Sequence, residues 1–387
     1  MIRKLSNPVR SLDACIILSA IGLFIAFACT RNVSADVEEN AFSLIASDEV
    51  SESYQFSGLA SFYSATRVDL VTENGVDGRE PDGATNALDN EWLVVSGRYE
   101  AHAFKAPGLE YRVTEEGVWT DQAEGLPLPN WVSYRLPKAE LGSIVPQLER
   151  MRYVHLWGWL ASLAKLVEAA LIYIHGQLFA SMNGGWGMAI LLLALTMKLL
   201  LLPVSVLTAR LQRRVTQVQA SLLPELAQIK AKFDGEEAHE RIMAAHSEHG
   251  VSPFYTLKPM LGTLIQVPVL IAVFNALGEM PALRGESFLW IDDLAYPDVL
   301  GELGFSVPLL GNKLSLLPVL MTAVTVWSTL VLTRTGVSKV QLDAEKTRLL
   351  LMSVGFFIMF YPFPAAMVLY WTCTNLLQLP LQRVLKA

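Results

Sequence analysis

Charge is what this sequence has little of. Asp, Glu, Lys and Arg make up 17% of its 387 residues, against roughly a quarter in an average soluble chain. Hydrocarbon takes their place: 52% of the residues are hydrophobic and the mean hydropathy is +0.37. The apolar residues gather near 12–29, 186–207, 260–278, 315–333 and 350–382, and blocks of about 20 residues can cross a bilayer as helix. That pattern argues for a multi-span membrane protein over a soluble helical bundle. Cysteine is also scarce. Cys15, Cys29 and Cys373 lie in or beside apolar blocks with no metal-ligand or redox spacing, which argues against a disulfide framework or a cysteine metal centre. GxxxxGK[ST] and HExxH are missing too, and no catalytic pairing survives the topology. The chain is therefore read as a non-enzyme with no catalytic residue, metal ligand or cofactor, and with no direct binding of nucleic acid.

What is present falls into compartments. Residues 1–30 carry Arg3, Lys4 and Arg10 ahead of LDACIILSAIGLFIAFAC, either a spanning anchor or a signal segment with its amino end in the cytoplasm. Ala26-Phe-Ala-Cys29 faintly resembles a lipoprotein processing box, and Cys29 is then a lipidation site. The uncleaved anchor is the expectation adopted. Residues 31–155 alternate in EWLVVSGRYEAHAF, GLEYRVTEEGVWT and NWVSYRLPK between Asn-Gly, Asp-Gly and Pro-Gly turns, which predicts a small β-rich domain. From 31 to 185 there are 11 Lys/Arg against 22 Asp/Glu, suited to the outside of a bacterial inner membrane.

Charge also orients the spans. The segment 208–258 has 7 Lys/Arg, whereas 279–313 has 2 Lys/Arg and 6 Asp/Glu. The positive-inside rule then runs 186–207 from outside to inside. Spans follow near 260–278, 315–333, 350–362 and 364–382, the last two forming a tight hairpin about Pro362 and Pro364. With 1–30 this gives six spans and both termini inside. The stretch 156–180 is interrupted by Lys165, Glu168 and His175. Were it to cross, the basic amino terminus would have to face outward, so a helix lying on the outer surface is predicted. The 208–258 segment reads as two helices parted at Phe233-Asp234-Gly235, with Asp234 a cap and Glu236 and Glu237 in the first turn behind it.

One residue breaks the pattern. In LTMKLLLLP (195–203), Lys198 lies about 16 Å along its helix from Gly187, near mid-bilayer. The polar boundary near Thr208 is about 15 Å further, too far for a lysine stem to snorkel. No carboxylate is available within the clear spans. Neutral polar residues are: Thr196, Thr263, Gln266, Asn275, Thr322, Thr325, Thr372, Thr374 and Asn375 are among them. A hydrated cavity around one cation is the reading, although each neutral member taken singly fits helix packing equally well. A cation without an anion implies that the anion arrives with a passing polypeptide or with a small solute.

Six stretches occur in order: GGWGMAILLLALTMKLLLLPVSV (184–206), LLPELAQIKAKF (222–233), HGVSPF (249–254), KPMLGTLIQVPVLIAVFNAL (258–277), SFLWIDDLAYPD (287–298) and YPFPAAMVLYWTCTNLLQ (361–378). Together they resemble the YidC/Oxa1/Alb3 family of membrane protein insertases over about 157–385. The resemblance implies an α-helical polytopic membrane protein whose five-helix insertase core, 181–387, surrounds a hydrophilic groove. The groove opens to the cytoplasm and lipid and is closed to the outside. A cytoplasmic helical hairpin (208–258), an N-terminal spanning helix and a small β-rich extracytoplasmic domain complete it. The family places an arginine five residues before a proline; here those places hold Lys198 and Pro203, a point charge without the bidentate fork. Gln266 and Pro268 match an IQMP-like element. Asn375 matches a polar position, Thr196, Thr372 and Thr374 are expected to line the groove, and Pro364 turns the last hairpin. Newly made membrane proteins, the lipid bilayer, and the Sec translocon and ribosome are the implied partners. The Asn-Pro-Leu-Gly-Gly-Cys element of the family appears as Ser252-Pro-Phe-Tyr-Thr-Leu257, without its glycines. A solute transporter or channel and a non-catalytic assembly scaffold are the competing readings, the first weakened by the lack of an inverted repeat.

Overall fold

The computed structural model describes residues 43–47, 60, 63, 65–114, 117–120, 132–248, 260–307, 310–330 and 339–386. The expected anchor 1–30, including Cys29, lies outside the described residues. So do 249–259, with the HGVSPF stretch, and 331–338. The chain divides into two compact units between Val154 and His155.

The first unit is built from nine strands among the described residues. They are β1 (Ser43–Ser47), β2 (Arg67–Val71), β3 (Val76–Arg79), β4 (Thr85–Leu88), β5 (Trp92–Ser96), β6 (Glu100–Lys105), β7 (Leu109–Thr114), β8 (Gly117–Thr120) and β9 (Val132–Pro137). All pair antiparallel, as a four-stranded sheet β1-β8-β7-β4 and a five-stranded sheet β3-β2-β5-β6-β9. Leu88, Leu93, Val95, Phe104, Leu109, Tyr111 and Val118 meet in one core drawn from both sheets. A second core lies on the other face of the five-stranded sheet. There Val94, Ala101 and Ala103 meet Leu141 of helix α1 (Lys138–Ile144) and Leu148 and Met151 of the 3-10 turn Pro146–Met151. This explains the burial of β5 along its whole length: each face has its own apolar partner. β7, covered on one face, alternates instead. Each large side chain so buried contributes about 1.5–3 kcal/mol before chain entropy is charged against it.

The second unit is helical. It contains α2 (Gly158–Ile174, prolonged by a π-turn His175–Phe179), α3 (Gly185–Leu200), α4 (Leu202–Lys232), α5 (Gly235–Glu248), α6 (Met260–Glu279), α7 (Leu316–Leu330), α8 (Lys339–Phe360) and α9 (Ala365–Lys386). A two-stranded hairpin, β10 (Gly301–Val307) and β11 (Gly311–Leu314), precedes α7. Helix α9 packs against α3, α6 and α7, α2 against α6, and α7 against α8. Phe274, Phe360 and Trp371 join α6, α8 and α9 through tilted and edge contacts with ring centroids 5.4–5.8 Å apart.

One end of this unit is organised by the loop between α6 and β10. Phe288 of that loop packs on Gly184 and Gly187 at the start of α3. The carbonyls of Tyr296 and Leu294 accept the N–H groups of Ala365 (2.8 Å) and Ala366 (2.9 Å) at the start of α9. Helix α6 ends at this loop, while α3, α7 and α9 start from it. The same end carries His155, whose ring nitrogens lie 2.6 Å from Asn275 Oδ1 and 3.4 Å from Glu279 Oε1 of α6.

At the opposite end α4 and α5 form a helical hairpin. Val215, Leu222 and Ala245 are buried between the two helices, flanked by Val218, Leu226 and Ile229. The 3–4 residue spacing of these positions is one helical stripe. α4 stops at Lys232, and α5 starts at Gly235, whose φ is +66°. Glu236 and Glu237 stand in the first turn of α5, and the Arg241 guanidinium lies 3.8 Å over the Phe233 ring.

By length and composition, one continuous helix among the described residues can cross a bilayer: Gly158–Phe179. Gly185–Leu200 and Leu202–Val215 reach that length only together, across a 50° bend, while Leu264–Glu279 and Leu316–Trp327 are shorter apolar helices.

Candidate functional site

Lys198 sits beside the bend between α3 and α4. Pro203 occupies the first turn of α4. It has no N–H and its ring crowds the carbonyl four residues back, which kinks or breaks a helix. The chain yields at Leu201 (φ −87°, ψ 2°). Lys198 thereby falls in the last turn of a helix that ends inside an apolar run. The negative end of the helix dipole favours a cation there by about 0.3–1 kcal/mol at exposed ends and more where water is scarce.

The face that Lys198 occupies follows from the helical repeat. At about 100° per residue, Gly187 and Leu191 lie within roughly 20° of it and Ala194 within roughly 40°. Gly187 and Ala194 are buried, and the Cys373 thiol of α9 reaches the Leu191 carbonyl at 4.0 Å. Lys198, which is half-buried, lies at the margin of the buried face of α3 that Gly187, Ile190 and Ala194 form. Among the described residues it has neither a hydrogen bond nor an ion pair.

The other expected residues divide into two groups. Gln266 of α6 donates from Nε2 to Ser205 Oγ at 3.5 Å, and Ser205 donates its hydroxyl to the Leu201 carbonyl at 3.0 Å. This ties α6 to the first turn after the bend. Asn375 of α9 donates to Thr325 Oγ1 of α7 at 3.4 Å, while Thr325 donates to the Met321 carbonyl at 2.9 Å. These two links join different helices. Thr196, Thr372 and Thr374 instead donate to carbonyls of their own helices, Leu192, Val368 and Trp371. Thr196 is exposed and stands about 200° around α3 from Lys198, on another face. Counted from the loop end at about 1.5 Å per residue, Lys198 and Gln266 both lie roughly 20 Å in, Asn375 about 15 Å and Thr372 about 10 Å. Among the described residues Lys198 makes no hydrogen bond with any of these five side chains. Pro268 lies inside α6, which continues through it. Pro364 stands just before α9, its carbonyl accepting the N–H groups of Met367 and Val368 at 3.1 and 3.3 Å.

Sequence reading did not single out Ser205, which is 61 positions from Gln266. Asp298 was also missed: it is buried and accepts hydrogen bonds from Trp290, Leu316 and Leu317. A carboxylate two residues after Ala-Tyr in a loop carries no one-dimensional mark of that role. Among the described residues no group of three or more His, Cys, Asp or Glu is placed to hold a metal ion.

Residues 178–387 match the family model described as 60Kd inner membrane protein. That match takes in every helix from α3 to α9. The chain belongs to this family, the YidC/Oxa1 family. Relatives named "Membrane protein insertase YidC" include one from Chlamydia trachomatis, 34% identical over 215 residues, covering 54% of this chain and 26% of that protein. One from Herminiimonas arsenicoxydans is 26% identical over 347 residues, covering 84% of this chain and 57% of that protein. One from Treponema denticola is 25% identical over 374 residues, with 87% and 60% covered. The chain thus spans about a quarter of the chlamydial 60Kd-family protein and somewhat over half of the other two.

Proposed function

We propose that the protein is a membrane protein insertase and chaperone. It moves hydrophobic segments of newly made proteins from the cytoplasm into the bilayer through a positively charged hydrophilic groove, alone or with the Sec translocon. The observation that carries this is Lys198: a half-buried cation at the end of a broken apolar helix, in a chain of the family whose relatives are named insertases. In this reading α3 with the start of α4, α6, α7, α8 and α9 are the five core helices, and Gln266, Ser205, Thr325 and Asn375 supply neutral polar groups to the groove. The α4–α5 hairpin stands in the cytoplasm and receives the client, and a ribosome brings it there. Residues 31–185 are outside, α2 lies on the outer surface, and both termini are inside. The charge difference between 208–258 and 279–313 supports that orientation.

The step needs no bond chemistry. A client brings one apolar segment and a short polar tail. Unsatisfied backbone groups of that tail would cost several kcal/mol each in hydrocarbon, and a polar groove lowers this. Lys198 offsets part of the dehydration cost of acidic residues in the tail. The apolar segment then moves into lipid, driven by about 25 cal/mol per Å² buried. Purified protein in liposomes, given a small single-span client and scored by protease protection, tests the reading. Insertion well above that of protein-free liposomes is expected; insertion equal to theirs would refute it.

A further inference from the structure

Asp298 lies away from the candidate groove and is 4% exposed. Its Oδ2 accepts the N–H of Leu317 at 2.6 Å, that of Leu316 at 3.0 Å and the Trp290 indole N–H at 3.3 Å. Leu316 and Leu317 open α7. The carboxylate therefore does what an N-cap residue does: it satisfies orphan donors at a helix start and sets an acceptor at the positive end of the dipole. It does so from 18 residues upstream.

Between the cap and the helix lies the β10–β11 hairpin, which closes on itself. The Leu300 N–H bonds to the Leu314 carbonyl at 2.8 Å, so the chain leaves and returns at adjacent points. If Leu300 led straight to Leu314, Asp298 would stand five residues before Leu316, still upstream of the ordinary cap position at Ser315. The hairpin carries exposed Leu300, Phe305 and Leu314.

The stretch that presents Asp298 also starts α9, through the Tyr296 and Leu294 carbonyls. Tyr361, just before α9, donates to the Lys313 carbonyl at 2.6 Å and accepts the Ser315 N–H at 3.1 Å. One loop thus fixes the starts of α7 and α9, the two helices that Asn375 and Thr325 bridge further in.

We propose that Asp298 is the positioning residue that holds the starts of α7 and α9 together and keeps this end of the groove shut, and that the Gly301–Leu314 hairpin is an excursion carried outside that anchor. The groove comes from the insertase reading, on which this rests, but the readout below does not depend on insertion.

The test uses the full chain in right-side-out vesicles, with Cys15 and Cys29 changed to Ser so that Cys373 of α9 is the reporter thiol. A membrane-impermeant maleimide is added from outside. Slow labelling is expected with Asp298 in place. Asp298→Ala, which removes the acceptor from three donors, one of them buried, should label at least about tenfold faster. Asp298→Asn keeps an acceptor oxygen at the same place and should label slowly. So should a deletion of residues 301–313 that joins Leu300 to Leu314. The proposal is overturned if Asp298→Ala labels at the original rate, if Asn behaves as Ala, or if the deletion labels fast. Should Asp298→Ala fail to accumulate, the deletion decides: slow labelling supports the anchor and fast labelling overturns it. A client-insertion assay on the same vesicles separates the two readings. Loss of insertion by every form, including the parent, removes the insertase function and leaves the labelling result standing.

Discussion

The ring of Phe288 rests directly on the backbone of Gly187, so closely that a Cβ at that position would overlap the ring. Phe288 is 7% exposed and sits in a tight turn closed by reciprocal N–H···O bonds with Ile291, 2.8 and 2.9 Å long. The contact sets the height of the α6–β10 loop above the start of α3. Gly187→Ala should destabilise the protein by about 1–3 kcal/mol through overpacking. Phe288→Ala in the Gly187→Ala background should return part of that loss, because it removes the ring atoms Cγ and Cδ2 that crowd the new Cβ and leaves only its own Cβ nearby. Melting points of the two single variants and the double variant in detergent would check this. Strictly additive losses would mean that the ring is not what excludes a Cβ.

Lys198 gives the sharpest functional expectation. If its charge offsets the dehydration of acidic tails, Lys198→Ala should slow insertion of an acidic-tailed client by about tenfold or more, a difference near 1.4 kcal/mol. A client with a neutral tail should be much less affected. Lys198→Arg should be tolerated, since arginine keeps the charge on a longer, forked head. Equal losses for both clients would remove the electrostatic role. Tolerance of Ala with both would remove Lys198 from the mechanism.

How much of this was legible in sequence depends on the range of the interaction. The alternation of Leu109–Thr114 is readable because one face of β7 is buried and the other is not. The parting at Phe233-Asp234-Gly235 is readable because a positive φ favours glycine. Lys198 is readable because its cost inside an apolar run is large. Trp92–Ser96 does not alternate, because helix and sheet cover its two faces. The β3-β2-β5-β6-β9 order is set by pairings between separated strands. Nothing local announces that Gln266 meets Ser205, or that Asp298 caps a helix across a hairpin. The 50° bend at Leu201 divides the stretch 186–207 that the sequence reads as one span; Pro203 marks its place but sets no angle.

The α4–α5 turn supplies a test of the hairpin. Gly235 has φ +66° with open space where a Cβ would go, so the cost of Gly235→Ala is conformational and not steric. It should be about 1–2 kcal/mol, because a Cβ makes the left-handed region unfavourable. Hydrogen exchange should quicken in α5 and in the Val215–Ile229 part of α4, which share one core. The α3–α9 contact should stay protected, because it lies beyond the bend. Equal loss of protection in both regions would show that the hairpin and the bundle open as one unit.

Asp298 makes stability depend on pH in a direction that can be worked out. Burial raises its carboxyl above the ordinary value near 3.8, and the N–H donors from Leu317, Trp290 and Leu316 oppose the rise without cancelling it. All three of those bonds end on Oδ2, so Oδ1 can take a proton while the α7 cap is kept. The folded protein then binds that proton more tightly than the unfolded chain does. The stabilisation is fully present below the ordinary carboxyl value and is lost as pH rises through the raised one. Asp298→Asn mimics the protonated form at every pH. Its melting point should match that of the parent in acid and exceed it increasingly as pH rises through the raised pKa, after which the gap should stay constant. Melting curves of both proteins across pH 4–8, taken in one detergent, make the comparison and cancel the contributions of the other carboxylates. Parallel curves would mean that Asp298 is ionised alike in the folded and unfolded states, and a gap that widens toward acid would reverse the sign argued for its burial.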